Sequence, residues 1–226
     1  MRPIVAFDLD GTLVDTAPDL LRALDFTLET EGLNPPDDHA ARNFIGAGAR
    51  AMIERALAHS QVHFGKEKVD RMFRQFLSYY ENHIADHSRP FPGVEPALAK
   101  LADEGVLLAV CTNKMESYAV KLLRELGLAD RFAFIAGSDT FPYKKPDPRH
   151  LTEAVAKAGG DLDRAVLIGD SETDVITAKA AEIPVVAVSF GYTDIPPAAL
   201  GADRLVHKFE DIPAAAMELL ARHRIA

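Results

Sequence analysis

The sequence predicts an α/β fold, a doubly wound parallel sheet with a small inserted all-helical cap. Three observations give it. After the first apolar run, "PIVAF" (3–7), further short apolar runs, "VLLAV" (106–110), "FAFIA" (132–136), "AVLI" (165–168) and "VVAV" (185–188), alternate with helix-period segments from about residue 90 onward. The runs lack polar alternation, as strands do when helices cover both faces of their sheet. Residues 15–86 hold helical stripes and no convincing strand, so a helical block interrupts the sheet after its first strand.

Taken in order, "PIVAF" is the first strand. Thr16 caps the next helix, with Asp19 three residues on and Pro18 tolerated in the first turn. Its stripe is Leu20, Leu21, Leu24 and Leu28, and Gly32 ends it. A second helix carries Met52, Ile53, Ala56 and Leu57. A third carries Val69, Phe73, Phe76, Leu77, Tyr80 and Ile84. These stripes read as packing faces. "RPFPG" (89–93) reads as the linker back to the sheet. The expected division is a core of residues 1–14 and 87–226 and a helical cap of residues 15–86.

After "VLLAV" comes a helix with Ala119, Leu122, Leu123 and Leu126, closed by Gly127. After "FAFIA" comes one with Leu151, Ala154, Val155 and Ala158, closed by Gly159. "AVLI" leads to an Ala-rich helix, and the last helix carries Ile212, Ala215, Leu219 and Leu220.

Composition narrows the functional classes. The chain has 226 residues, 48% of them apolar, enough for a full core. A net charge of −9 without a long basic run argues against nucleic acid or an anionic membrane as main partner. No apolar run is long enough to span a bilayer, and the N-terminus reaches acids too early for a signal peptide. One cysteine, Cys111, excludes an internal disulfide and suits a reducing cytoplasm. Cys111 is expected to pack in its strand, and the histidines show no metal-ligand spacing.

In a doubly wound sheet, ligands bind beyond the carboxyl ends of the strands. Polar residues collect there. "PIVAF" runs into Asp8 and Asp10; "VLLAVC" into Thr112 and Asn113; "AVLI" into Gly169, Asp170, Ser171 and, four residues past Asp170, Asp174. Side chains two apart on a strand point the same way, so an extended Asp8-Leu9-Asp10 aims two carboxylates together. With Asp170 they form an oxygen site suited to Mg²⁺. Alone, Asp-x-Asp fits a turn or a helix cap equally well. Gly11 permits the turn that follows. Thr112 and Asn113 can donate to phosphoryl oxygens, or cap the next helix. "FPYKKPDP" (141–148) offers Lys144 and Lys145 in a proline-stiffened loop, with Asp147 capping the helix beyond. Asp170 and Asp174 also suit a helix N-terminus electrostatically. In "GAGAR" (46–50), glycines at a helix start can bind an anion and Arg50 a carboxylate; a plain turn with a solvated arginine serves as well.

Together "DLDGT" (8–12), "TN" (112–113), "KKPDP" (144–148) and "GDSETD" (169–174), in that order, resemble the haloacid dehalogenase superfamily of phosphohydrolases. The likeness runs over essentially the whole chain, with the helical block in the place of the family's small cap. Within the superfamily, "DLDGTLVDTAPDLLRALDFTLETEGL" (8–33) and "FIGAGARAMIERAL" (44–57) resemble the bacterial phosphoglycolate phosphatases.

The resemblance implies that Asp8 is a nucleophile forming an aspartyl-phosphate and that Asp10 is the proton donor and then base. It implies that Asp8, the Asp10 main-chain carbonyl and Asp170 hold Mg²⁺, and that Thr112 and Lys145 bind the phosphoryl group. Lys145 is favoured over Lys144 on this ground. Gly11, Thr12, Asn113 and Arg50 are the further expected phosphate or substrate contacts, and Asp174 orients a ligand, a water or Lys145. The expected reaction is hydrolysis of a small phosphorylated metabolite, 2-phosphoglycolate first, by a cytoplasmic monomer or homodimer. A sugar-phosphate phosphatase, an inorganic pyrophosphatase and a phosphomutase share the scaffold. A phospho-aspartate receiver also uses acids, Thr and Lys at strand ends, but it is shorter and has no helical block after its acidic strand.

Overall fold

The computed structural model describes residues 1–42, 44–45 and 48–222. The strands are β1 (Arg2–Phe7), β2 (Val14–Asp15), β3 (Arg89–Pro90), β4 (Leu107–Cys111), β5 (Phe134–Ala136), β6 (Gly160–Gly169), β7 (Val185–Val188) and β8 (Arg204–Val206). Six of them form one sheet in the order β5-β4-β1-β6-β7-β8, with every neighbouring pair parallel. β1 lies centrally, with Phe7 opposite Val110 of β4 and Ile168 of β6. The strand tips that carry the polar motifs therefore sit side by side.

Because side chains alternate along a strand, the sheet serves two cores. Val5, Phe7, Val110 and Ile168 face α5 (Val94–Asp103), α6 (Glu116–Glu125) and α9 (Ile212–Arg222), through Leu98, Leu122 and Leu219. Ile4, Ala6, Ala109 and Leu167 face α7 (Pro148–Lys157) and α8 (Glu172–Ala180), through Leu151, Val155 and Ala178. All these side chains are buried. Each large one contributes roughly 1.5–3 kcal/mol. This doubly wound arrangement matches the expected fold class.

Between β2 and β3 run α1 (Ala17–Thr30), α2 (Asp38–Arg42), α3 (Ala49–His59) and α4 (Lys66–Asn82). Leu24 and Leu28 of α1, Ile53 of α3, and Met72 and Phe76 of α4 close a helical core, with α4 packed on α1 and α3. Phe73 and Leu77 are only partly buried, and Ile84 falls beyond the end of α4 while remaining buried.

Three expectations need correction. "RPFPG" is more than a linker: Arg89–Pro90 pairs antiparallel with Val14–Asp15. Thr16 stands at the N-cap of α1 but makes no side-chain cap; its hydroxyl donates to Asp10 Oδ1 at 2.7 Å. The first amide of the helix, Ala17 N, donates instead to the Tyr192 hydroxyl at 3.0 Å. Asp19 makes no capping box, because its carboxylate accepts from His87 N, Ser88 N and Ser88 Oγ at 2.7–3.1 Å. Of the "GAGAR" loop, Gly46 and Ala47 lie outside the described residues. Among the described residues, no helix is long and apolar enough to cross a membrane.

Candidate active site

The site begins where β1 ends. The ladder carries on through Asp8 N, which donates to Ile168 O at 2.9 Å. Then the chain turns. Leu9 N donates to the Asp8 carboxylate at 2.7 Å, and Leu9 O accepts from the amides of Leu13 and Val14. Asp8-Leu9-Asp10 is thus a strand end followed by a turn, and its two carboxylates part.

Asp8 meets Asp170 and Asp174: one carboxylate oxygen of each lies within 4.8 Å of the others, and all three residues are buried. The Lys145 ammonium lies 3.0 Å from Asp8 Oδ1 and 2.6 Å from Asp174 Oδ1. Asp174 is also fixed by a capping box at the start of α8, where Ser171 Oγ donates to its Oδ2 at 2.6 Å. Asp170 precedes that helix and is held from two sides. Thr12 Oγ donates to its Oδ1 at 3.2 Å, and Tyr192 N to its Oδ2 at 2.6 Å.

Gly11 has φ +81°, and a Cβ there would stand 2.4 Å from Asp170 Oδ2. Glycine is therefore required by both conformation and space. Gly11 and Thr12 both stand against Asp170, outside the cavity wall described below.

Burial pushes the Asp8 carboxyl up to about 6, with Lys145 pulling it down and Asp174 and Asp10 adding to the rise. Burial, then Asp174 and Asp8, push Asp170 well above the usual carboxylate range. Lys145 is held above its ordinary value: burial works against its charge, but Asp174 and Asp8 outweigh it. Three buried carboxylates face one ammonium, so the trio is short of positive charge. An all-oxygen donor set with that deficit fits a hard divalent cation.

Asp10 is not in the trio. Its carboxylate accepts from Lys114 Nζ at 2.7 and 2.9 Å and from Thr16 Oγ. The expected convergence of Asp8, Asp10 and Asp170 side chains gives way to Asp8, Asp170 and Asp174. Burial alone would lower the Lys114 pKa, but the adjacent Asp10 carboxylate raises it above the ordinary lysine value.

Lys114 was not anticipated. The signal available was its place two residues beyond Thr112 at the end of β4. Tyr192, which fixes Asp170 through its amide and donates its hydroxyl to Asp15, carried no local signal at all.

Thr112 is buried and accepts from Lys114 N at 3.2 Å. Asn113 Nδ2 donates to Lys145 O at 3.1 Å, tying "TN" to the lysine loop, while its Oδ1 is buried without a partner among the described residues. Lys144 is exposed; Asp147 caps α7 by accepting from Arg149 N at 3.0 Å. Cys111 packs as expected, its Sγ 3.2 Å from His150 Nδ1, and burial pushes its thiol up to about 12. It stays a thiol.

Above Asp8 lies a cavity of about 140 Å³. Asp8, Asp10, Thr112 and Lys114 line it from the sheet, and Met52, Phe73, Phe76 and Tyr80 from the helical block. Arg50 also lines it. Its guanidinium is paired with Asp70 at 2.6 Å and lies 4.8 Å from the centre of the Phe73 ring.

Residues 5–188 match the family model of haloacid dehalogenase-like hydrolases. A phosphoglycolate phosphatase of Mesorhizobium japonicum is 54% identical over 193 residues, 85% of each chain. One from Agrobacterium fabrum is 41% identical over 97% of this chain and 94% of that protein. The crystal structure of a predicted phosphoglycolate phosphatase from Haemophilus somnus superposes with a TM-score of 0.88 at 29% identity, covering 95% of this chain and 97% of that one. The chain belongs to the haloacid dehalogenase-like hydrolase family and is an enzyme of its phosphatase branch.

Proposed function

We propose that the enzyme hydrolyses 2-phosphoglycolate to glycolate and phosphate through an aspartyl-phosphate on Asp8. One observation carries the reading. Asp8 belongs at once to the buried carboxylate trio and to the cavity wall, with Lys145 at 3.0 Å. A nucleophile needs that double position, with charge compensation behind it and substrate space in front. The relatives named phosphoglycolate phosphatase point to the substrate.

In this reading Asp8 attacks phosphorus while the ester oxygen leaves and takes a proton from Asp10. Asp10 then takes a proton from the water that attacks the aspartyl-phosphate. Thr16 and Lys114 hold Asp10 in place for both transfers. Thr112 and Lys145 receive phosphoryl oxygens, and Asp174 holds Lys145 against Asp8. Asp8, Asp170 and the main-chain carbonyl of Asp10 would hold Mg²⁺, which supplies the positive charge that the trio lacks and polarises the phosphoryl group. Residues 15–86 act as a cap on a core of residues 1–14 and 87–226. The support for this is a cavity walled from both, which sets the substrate apart from bulk solvent.

Phosphate release over a metabolite panel with Mg²⁺ tests the reading. 2-Phosphoglycolate is expected among the best substrates; equal or better turnover of several sugar phosphates, or of pyrophosphate, overturns the substrate. Asp8→Asn is expected to abolish phosphoenzyme formation, and a retained burst removes Asp8 from its role.

A further inference from the structure

The cavity wall holds three cationic side chains among the described residues: Arg50, Lys114 and Lys144. Lys144 is exposed. The Arg50 side chain is 42% exposed and already paired with Asp70. Lys114 differs. Its side chain is only 5% exposed, with its ammonium fixed on Asp10. An ammonium has three N–H donors, and Asp10 accepts two contacts, at 2.7 and 2.9 Å. The rest of its donor capacity is turned toward Tyr80 and the cavity that both residues line.

Facing Lys114 is Tyr80 of α4, whose ring centre lies 4.9 Å from the ammonium. The Tyr80 hydroxyl is buried beside the Lys114 ammonium, and its proton finds no acceptor among the described residues. A buried hydroxyl proton left without an acceptor costs free energy that a ligand acceptor would recover. A cation and a hydroxyl proton in want of an acceptor together suit one ligand group, a carboxylate.

We propose that Lys114 and Tyr80 receive the carboxylate of the substrate, so that Lys114, rather than Arg50, selects phosphate esters bearing a carboxylate on the ester carbon. This rests on the phosphoglycolate reading above. In such an ester one carbon separates the ester oxygen from the carboxylate. The group that protonates the ester oxygen and the group that holds the carboxylate must then be neighbours. Asp10 and Lys114 are neighbours at hydrogen-bond distance. The ammonium bridges the two anions and offsets their repulsion.

The test compares 2-phosphoglycolate with ethyl phosphate, which replaces the carboxylate by a methyl group. The readout is the ratio of the two kcat/KM values in wild type, Lys114→Met, Tyr80→Phe and Arg50→Ala. The ratio is expected to fall by about 30-fold in K114M and about tenfold in Y80F, the scale of one lost charged hydrogen bond, and by less than about threefold in R50A. A lysine that only steadies Asp10 would reduce both substrates alike and leave the ratio unchanged; that result overturns the proposal, as does a larger fall in R50A than in K114M. A wild-type enzyme with no preference for 2-phosphoglycolate removes the substrate reading and this inference with it. A wild-type preference that K114M retains removes the inference alone. If K114M does not fold, Y80F decides, and a ratio it leaves intact overturns the proposal.

Discussion

Ser88 donates its hydroxyl to Asp19 at 2.7 Å, and both residues are fully buried. The amides of His87 and Ser88 converge on the same carboxylate. A residue near the start of α1 thus fastens the segment by which the chain returns to the sheet. Asp19→Ala leaves three buried or part-buried donors without their acceptor. It is expected to cost about 3 kcal/mol, a fall of about 6–12 °C in Tm for a chain this size. Thermal unfolding followed by circular dichroism measures it, and a change under 2 °C would show the clamp to be dispensable.

Lys145 is the only ammonium touching the trio among the described residues. Lys145→Ala strands Asp8 and Asp174 as buried charges and, on the proposed mechanism, removes a phosphoryl contact. The expected loss in kcat is about 10³-fold. Asp174→Asn keeps the shape and leaves one acceptor oxygen to share between Lys145 and Ser171, for a loss nearer 10–100-fold, in line with losses of groups that orient a ligand. Steady-state phosphate release separates the two; equal losses would place Asp174 on the same footing as the lysine.

The carboxylates give the metal-free protein a definite pH response. Burial pushes the Asp8 carboxyl up to about 6 in the folded chain, from an ordinary value of 3.8 that the unfolded chain keeps. An acid whose folded pKa is raised contributes stability below its unfolded pKa and loses it as pH rises through the folded one. Asp8 therefore weakens the metal-free fold between about pH 4 and pH 6, and Asp170, raised by the same causes, acts in the same direction. Mg²⁺ competes with those protons. Its stabilisation of Tm is expected to be larger at about pH 7.5 than at about pH 5, read by differential scanning fluorimetry with and without the metal. An equal shift at both would show that the trio is not where the ion binds.

Tyr192 contacts the trio through its amide and the start of α1 through its hydroxyl. Tyr192→Phe keeps the first contact and deletes the second, leaving Ala17 N and Asp15 without their partner. A loss of about 1–2 kcal/mol in urea unfolding is expected. Unchanged stability would mean that water replaces the hydroxyl at no cost.

The sheet was legible because its main strands each hold a short apolar run, and Val185–Val188 is bounded as read, whereas β6 begins at Gly160, ahead of "AVLI", and takes in Asp161, Asp163 and Arg164. β8 was not legible. Its Arg204-Leu205-Val206 sits at an edge with only Val206 buried, so it leaves no apolar run to see. β2 and β3 are two residues each and exist only because they pair with each other.

At the site, Asp8, Thr112 and Asp170 were legible as polar residues at strand ends and Asp174 at a helix start, while Lys145 was set apart from Lys144 only by the family resemblance. The fates of Thr16, Asp19 and Thr12 were not legible. Thr16 and Asp19 have a local capping reading, and each is claimed instead by a neighbouring carboxylate or by a partner distant in sequence, as Thr12 is by Asp170. Arg50 has a plausible local reading as an anion ligand, and only the fold reveals Asp70 beside it.

The two-residue ladder of Val14–Asp15 with Arg89–Pro90 has a consequence for descent. The chain departs from and rejoins the sheet at a single doorway, whose two jambs are hydrogen-bonded to each other. Whatever is spliced between them needs only ends that meet there, and the entropy of closing a longer excursion grows slowly with its length. The sheet and its carboxylates could thus keep their register while the excursion was lengthened, shortened or replaced. New substrates would then be acquired by changing the visitor and leaving the house alone.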